Sequence, residues 1–195
     1  FVWRKVHNYF LDDVEIMSLI AIEKNVLPNN CVKVLKNILC DLDFKIAQDS
    51  KCVNIFESQN FQGFSRNTLD SKNVNESNKL TYTRLNDYAF IIAEIVCKKL
   101  NFKIKNINRI MWNLYKRGEE GLFHTDATEN NFITILYSLN TSDGYIMIDE
   151  KKVNDVENEA KIFKSIVKHK GVGPTKDLFR LNLNIVLDYE ELNND

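Results

Sequence analysis

Residues 113–126, NLYKRGEEGLFHTD, are the stretch that decides the fold. The stretch ends in His124-Thr125-Asp126, a histidine and a carboxylate two positions apart. Because side chains alternate along a strand, a strand through GLFHTD would place His124 and Asp126 on one face, together with Leu122. Histidine and aspartate side chains can both ligate a metal, so the His124-Thr125-Asp126 motif predicts a shared metal site.

A second histidine and an arginine follow in a definite order. His169 lies 45 residues after His124, and Arg180 lies 11 residues after His169, in a chain with only three histidines. Two imidazoles and one carboxylate on one face of a metal leave three positions open, which is typical of non-haem Fe(II) oxygenases. The H-x-D step alone is a weak signal. The ordered set is a stronger one, and it predicts His124, Asp126 and His169 as the metal ligands.

Two strands are predicted to line a polar interior. In FRLNLNIVL the polar side chains alternate with apolar ones, so Arg180, Asn182 and Asn184 share one face. In INRIMWNLY the shared face consists of Arg109, Met111, Asn113 and Tyr115. A buried guanidinium is most stable beside a carboxylate. The last strand offers no acid for Arg180, which leaves a distant acid or the carboxylate of a ligand as its partner.

These residues resemble the Fe(II)/2-oxoglutarate-dependent dioxygenases. The family pattern is H-x-D, a distal His and an Arg some ten residues on, and here it reads HTD and then KHKGVGPTKDLFRLN. FITILYSLN and KIFKSIVKH look like core strands of the prolyl-hydroxylase-like branch. The N-L-Y step before His124 is similar to the alkylation-repair branch. The resemblance covers residues 107–189.

The resemblance implies an α+β fold, a double-stranded β-helix (a jelly-roll or cupin-like barrel) buttressed by N-terminal helices. It also implies Fe(II), 2-oxoglutarate and O2 as cofactors, with succinate and CO2 released. Arg180 would anchor the distal carboxylate of 2-oxoglutarate, and Tyr115, Asn113 and Ser138 would assist. The expected reaction is hydroxylation of a C–H bond in a protein or peptide side chain or in an amino-acid-like small molecule.

Two alternatives remain open at this stage. Oxidative demethylation of nucleic acid would require a basic groove, but the formal net charge is −1 and no second arginine follows Arg180 as it does in the repair enzymes. A non-catalytic metal-binding or ligand-binding barrel is the other alternative, because a fold alone does not fix a function. The primary substrate and the oligomeric state are not readable from the sequence.

Sequence patterns in the first half of the chain predict helices that support the barrel. Hydrophobic periodicity favours helices over residues 11–25, 30–42 and 84–100, with short strands in 43–56. Residues 57–79 are polar and aperiodic, which indicates a long loop that is either a flexible surface segment or a substrate lid. We expect a single domain over residues 1–195, with residues 1–106 as support and residues 107–189 as the catalytic barrel.

Composition excludes several other classes of protein. Hydrophobic content of 44% and charged content of 27% are ordinary for a globular domain. No apolar run is long enough to cross a bilayer. The four cysteines show no C-x-x-C spacing, which predicts buried thiols in a cytoplasmic protein rather than disulfides or a zinc site.

Overall fold

The computed structural model describes residues 19–40, 45–46, 64–67 and 76–192. Within these residues there are two helices, α1 (Asn29–Cys40) and α2 (Glu76–Lys99). The strands described are β1 (Leu19–Lys24), β2 (Lys45–Ile46), β3 (Phe64–Asn67), β4 (Phe102–Lys116), β5 (Phe132–Ser138), β6 (Ser142–Ile148), β7 (Lys151–Asp155), β8 (Glu159–Lys164), β9 (His169–Val172) and β10 (Phe179–Glu191).

The strands form two antiparallel sheets. The larger sheet has the order β1-β8-β5-β10-β4-β3-β2, and the smaller sheet has the order β7-β6-β9. Residues 120–124 extend the smaller sheet beside β9 through isolated antiparallel bridges, Glu120 to Val172 and His124 to His169. If residues 120–124 are counted with the smaller sheet, the chain from β4 onward passes back and forth between the two sheets, except at the β6–β7 hairpin, which stays in the smaller sheet. This is the arrangement of a double-stranded β-helix, and the predicted fold is confirmed.

The two helices cover the outer face of the larger sheet. Leu35 of α1 and Ile92 of α2 belong to the same buried cluster as Trp112 of β4 and Ile185 of β10. Trp112 is fully buried, as expected from its alternation with the polar face of β4. The apolar face of β4 and β10 therefore packs against the helices, and the polar face of these strands points into the barrel interior.

A second, smaller core lies between the two sheets. It joins Leu136 of β5 and Phe163 of β8 to Ile146 and Ile148 of β6. The β10–β4 register places Arg180 opposite Tyr115 and Asn182 opposite Asn113. This register brings the polar side chains of the two strands together beside the second core.

Two predictions of the first half are confirmed and one is wrong. Helices α1 and α2 occupy the predicted regions, although α2 begins earlier than expected, at Glu76. Residues 19–24, predicted as part of a helix, are instead β1, which pairs antiparallel with β8. A short apolar run such as LIAI fits either structure by periodicity, and pairing with the edge of the sheet decides in favour of a strand.

The polar region 57–79 is not one continuous loop. It contains β3, which pairs with β4, and the start of α2 at Glu76. Of the predicted strand region 43–56, β2 is described; the rest of that region, including Cys52, lies outside the described residues, as do residues 11–18 of the predicted first helix. Among the described residues, no helix is both long and apolar enough to cross a membrane.

The cysteines depart in part from the expectation of buried thiols. Cys97 is buried in α2, and burial raises the pKa of its thiol to about 12, with a smaller contribution from Glu94. Cys31 is half-buried and Cys40 is exposed at the end of α1. All three of these described cysteines are free thiols.

Candidate metal centre

Three side chains converge where residues 120–126 meet β9. The ligand atoms of His124, Asp126 and His169 all lie within 4.8 Å of one another. Nε2 of His124 is 3.6 Å from one carboxylate oxygen of Asp126, and Nε2 of His169 is 3.4 Å from the other. The sequence-predicted ligands are thus brought together, as a metal ion would require.

The backbone explains how the two histidines meet. His124 and His169 lie opposite each other in an antiparallel bridge and exchange both N–H···O=C hydrogen bonds, at 3.0 and 2.9 Å. The strand predicted for GLFHTD does not form, because apart from the bridges at Glu120 and His124 the segment is irregular. Asp126 is held separately, by a hydrogen bond from its backbone N–H to the carbonyl of Ser165 at 2.8 Å.

Each imidazole presents the same nitrogen to the site. Nδ1 of His124 lies 2.9 Å from the Leu122 carbonyl, and Nδ1 of His169 lies 2.9 Å from the Val167 carbonyl. A carbonyl can only accept, so Nδ1 carries the proton and donates, and Nε2 is the nitrogen on the side of the Asp126 carboxylate. This is the arrangement found around metal-binding histidines. Burial, reinforced by His169, lowers the pKa of His124, which favours the neutral form that binds metal.

The Asp126 carboxylate is fixed by three neighbours. Arg109 bonds one oxygen, while the other accepts hydrogen bonds from Thr134 Oγ1 at 2.8 Å and Asn184 Nδ2 at 3.2 Å. Burial alone would raise the pKa of Asp126, but the positive charge of Arg109 is the largest opposing cause, and the pKa is held well below its usual range. The carboxylate is therefore ionised and oriented. Sequence reasoning placed Arg109 on the correct face but did not predict this role.

A cavity extends from the histidines along the polar faces of β4 and β10. Its walls include the predicted residues Asn113, Tyr115, Asn182, Asn184 and Arg180. Four buried polar atoms in these walls have no hydrogen-bond partner among the described residues: Arg109 Nε, His169 Nε2, Arg180 Nη2 and Asn182 Nδ2. Buried polar groups are nearly always paired, so this concentration indicates a site shaped for a polar ligand.

Glycines make room for the arginine at the inner end of the cavity. A Cβ on Gly171 would lie 2.5 Å from Tyr115 Oη and 2.9 Å from Arg180 Nη1. A Cβ on Gly144 would lie 2.9 Å from Arg180 Cδ. The guanidinium also lies over the Tyr115 ring, with Cζ 4.9 Å from the centroid. Only bare backbone at these two positions lets Arg180 and Tyr115 reach the interior.

The partner of Arg180 is a distant acid, one of the two alternatives left open by the sequence. Arg180 Nε donates to Asp155 at 2.5 Å, and Lys161 Nζ donates to the same carboxylate at 2.8 Å. Ser138 lies behind Lys161, where its hydroxyl accepts a hydrogen bond from Nζ at 2.7 Å. Asn113 donates to Asn182 at 3.2 Å within the cavity wall. The involvement of Ser138 and Asn113 with a cosubstrate stays a prediction.

Several solved structures have folds similar to that of this chain. No family model and no curated protein matches the sequence. A prolyl hydroxylase from Trichoplax adhaerens, in complex with a hypoxia inducible factor oxygen degradation domain peptide fragment, is 15% identical with a TM-score of 0.61, covering 86% of this chain and 82% of that chain. The protein has the fold of the 2OG-Fe(II) oxygenases.

Two further structures support that assignment of the fold. An oxidoreductase of the 2OG-Fe(II) oxygenase family from Burkholderia pseudomallei is 9% identical with a TM-score of 0.61, covering 92% of this chain and 86% of that chain. HygX from Streptomyces hygroscopicus, with nickel and 2-oxoglutarate bound, is 8% identical with a TM-score of 0.56, covering 86% and 81% respectively. The oxygenase-like fold is thus shared despite very low sequence identity.

Proposed function

We infer that the protein is an Fe(II)- and 2-oxoglutarate-dependent oxygenase that hydroxylates a C–H bond. The observation that carries this proposal is the pair of imidazole Nε2 atoms directed at one ionised carboxylate, with Nε2 of His169 buried and unpartnered among the described residues. Such an atom has a lone pair and no proton donor nearby, which fits a metal ligand. The donor set of two imidazoles and one carboxylate suits Fe(II).

The cavity beside the triad fits 2-oxoglutarate. Arg180 Nη2 and Asn182 Nδ2 are buried donors without partners among the described residues, and they would bind the distal carboxylate and a neighbouring oxygen. Tyr115 lies against the guanidinium, and burial raises the pKa of its phenol, so the hydroxyl keeps its proton and can donate. When bound, Fe(II) with 2-oxoglutarate would supply the oxidising chemistry.

The protein itself would contribute orientation and exclusion of water. Arg109, Thr134 and Asn184 hold the Asp126 carboxylate in a single orientation. The apolar side chains of Leu136 and Ile146 line the opposite wall. Apolar side chains in the cavity wall would limit the access of water to the reacting groups.

The proposed substrate is a protein or peptide side chain, or an amino-acid-like small molecule. The similar prolyl hydroxylase from Trichoplax adhaerens is in complex with a peptide fragment. That complex supports a peptide as the first class to test. Succinate and CO2 would be the products released from 2-oxoglutarate.

Metal binding and turnover test the proposal together. The wild-type protein should bind Fe(II) under anaerobic conditions and release succinate from 2-oxoglutarate in air, whereas His124→Ala and Asp126→Ala should lose both properties. Asp149→Asn is the control, since it removes an exposed carboxylate in the turn between β6 and β7. Unchanged succinate release in both triad variants would contradict the proposed function.

A further inference from the structure

Three charged side chains are buried together at the inner end of the cavity. Arg180 and Lys161 both donate to the Asp155 carboxylate, one to each oxygen, at 2.5 and 2.8 Å. The side chains of Lys161 and Asp155 are fully buried, and that of Arg180 is 1% exposed. Two buried cations therefore share one buried carboxylate.

The charges of this cluster do not cancel. Arg180 and Lys161 contribute two positive charges and Asp155 contributes one negative charge, which leaves one positive charge over. Glu159 is the next acid that acts on Lys161, but it lies 3.8 Å from Lys24 on the far edge of the sheet. An uncompensated buried charge is costly, so a bound anion with a single negative charge would complete the cluster.

The hydrogen bonds determine which donor is left for that anion. Lys161 Nζ is occupied by Asp155 and by the Ser138 hydroxyl at 2.7 Å. Arg180 Nε is occupied by Asp155, while Nη2 has no partner among the described residues and belongs to a cavity-lining side chain. Asp155 therefore holds the guanidinium through its Nε–H and leaves Nη2 for a ligand.

The geometry points to Asp155 and Lys161 as positioning residues that aim Arg180 and set the anion pocket at one net positive charge. The pocket then selects a 2-oxo acid with a second carboxylate over one that ends in an alkyl group. This inference rests on the proposed function, because it takes 2-oxoglutarate as the ligand. It assigns a role in ligand selection to two residues that neither bind the metal nor touch the reacting atoms.

A purely structural role is the competing explanation. Asp155 lies in β7 of the smaller sheet, whereas Lys161 and Arg180 lie in β8 and β10 of the larger sheet, so the cluster also joins the two sheets. A structural role predicts a change in thermal stability without a change in ligand preference. Comparing two ligands with different numbers of carboxylates separates the two explanations.

The test uses two 2-oxo acids and three variants. Anaerobic Fe(II)-loaded protein is titrated with 2-oxoglutarate and with 2-oxobutyrate, which lacks the distal carboxylate, and Kd is read from the visible charge-transfer absorbance. The variants are Lys161→Met, the double variant Asp155→Asn with Lys161→Met, and the control Lys164→Met. Lys164 lies on the same strand but bonds Tyr189. Thermal unfolding of each variant is measured in parallel.

Lys161→Met should weaken 2-oxoglutarate binding selectively. Asp155 remains paired with Arg180 in this variant, so the chain should fold, but the pocket loses its net charge. The Kd for 2-oxoglutarate should rise by about 10- to 100-fold, the range of a charge-assisted hydrogen bond. The Kd of Lys161→Met for 2-oxobutyrate should stay within about twofold of the wild-type value. The Kd values of the control Lys164→Met for both 2-oxo acids should also stay within about twofold of wild type.

The double variant should recover most of the loss. It has Arg180 as the sole charge of the cluster, so the net charge returns to plus one, and the Asn side-chain oxygen can still accept from Arg180 Nε. Recovery identifies the charge balance as the cause, whereas a Kd no better than that of Lys161→Met overturns the inference.

Two further outcomes have separate meanings. Equal losses for both 2-oxo acids, or a change in thermal unfolding alone, would overturn the inference and leave the cluster with a structural role. A wild-type protein that binds Fe(II) but gives no absorbance band with either acid would contradict the proposed function itself, and the inference would fail with it.

Discussion

Asp126 is the most constrained side chain of the metal centre. One of its oxygens bonds Arg109, and the other accepts hydrogen bonds from Thr134 and Asn184. Partners behind a metal ligand fix its orientation, and removing one of them typically reduces metal affinity by about 10- to 100-fold. Substituting a neighbour of Asp126 should therefore reduce metal affinity measurably, as substituting Asp126 itself should.

Thr134→Val should weaken Fe(II) binding by about 10- to 100-fold, because it removes the hydroxyl that donates to Asp126 but keeps the size of the side chain. The hydroxyl also lies 2.9 Å from Ser165 Oγ, so a modest loss of stability should accompany the change. Anaerobic Fe(II) titration measures the effect. Thr128→Val, at an exposed position, is the matched control. Wild-type affinity in Thr134→Val would show that this hydrogen bond does not orient the ligand.

Gly171→Ala should reduce 2-oxoglutarate binding more than Fe(II) binding. The new methyl would come within 2.5 Å of Tyr115 Oη, so Tyr115 and Arg180 must shift out of the positions they hold in the cavity. His169 lies two residues away on the same strand, and its backbone would not need to move. Calorimetric titrations with 2-oxoglutarate and with Fe(II) measure the two affinities separately. A variant that loses Fe(II) affinity and keeps 2-oxoglutarate affinity would contradict the assignment.

At the scale of single residues, the sequence predicts the ligands better than their partners. His124, Asp126 and His169 follow from their chemistry and their order in the sequence, and Arg180 follows from the family resemblance. Asp155 does not, since it lies 25 residues before Arg180 and reaches it only through the packing of two sheets. Partners of this kind have no local signal in the chain.

The turn between β6 and β7 forms without the residues that usually mark such a turn in a sequence. The two residues between β6 and β7 are Asp149 and Glu150, with φ of 48° and 66°. A two-residue hairpin turn with positive φ at both positions usually carries Asn-Gly or Asp-Gly. Glu150 gives no such signal, whereas the pairing of β6 with β7 shows that the hairpin forms.

Glu150→Gly should stabilise the protein by about 0.5–1 kcal/mol, because glycine relieves the left-handed strain and only part of that gain is offset by its unfolded-state entropy. Urea unfolding measures the change. Lys151→Gly, one position into β7, is the control and should destabilise instead, by about 0.5–1 kcal/mol. A loss of stability in Glu150→Gly would mean that this side chain makes a contact that outweighs the strain.

The loop before β10 depends on Asp143, which gives it a pH dependence. The Asp143 carboxylate accepts hydrogen bonds from the Thr175 hydroxyl and from the backbone N–H groups of Thr175, Lys176 and Asp177. The Thr175 hydroxyl and these backbone donors lower the pKa of Asp143 in the folded protein. Below about pH 4 the unfolded chain takes up the proton first, so stability is lost as the pH falls.

Asp143→Asn should therefore flatten the pH profile of stability. The amide oxygen can still accept hydrogen bonds but does not titrate in this range, so the variant should lose less stability than wild type when the pH falls from 4 toward 2. Urea unfolding at a series of pH values gives both slopes. Asp149→Asn is the control, because its carboxylate accepts no side-chain hydrogen bond among the described residues. Parallel profiles for wild type and Asp143→Asn would contradict this role.

At the scale of the whole molecule, the division of each strand into two faces organises both core and site. On β10 the apolar face carries Leu183 and Ile185 toward the helices, and the polar face carries Arg180 and Asn182 into the cavity. This alternation is visible in the sequence and predicted the polar interior, whereas the double-stranded β-helix was implied by the family resemblance. The error at β1 arose where a short apolar run has no such alternation.

The pairing of strands that are distant in the chain could not be predicted from the sequence. Residues 120–126 are irregular and yet place His124 opposite His169, because β9 offers its free edge to them. Alternation within GLFHTD predicted that His124 and Asp126 share a site, and they lie close together although the strand expected there does not form. The geometry of the site thus belongs to the assembled barrel and not to any single segment.

Visible absorption of the anaerobic protein tests the central claim most directly. Fe(II) alone should give no band, and addition of 2-oxoglutarate should produce a charge-transfer band in wild type that is absent in Asp126→Ala. Such a band requires the metal and the 2-oxo acid to be bound together, so it reports the triad and the cavity in one experiment. Absence of the band in wild-type protein that demonstrably binds Fe(II) would contradict the account.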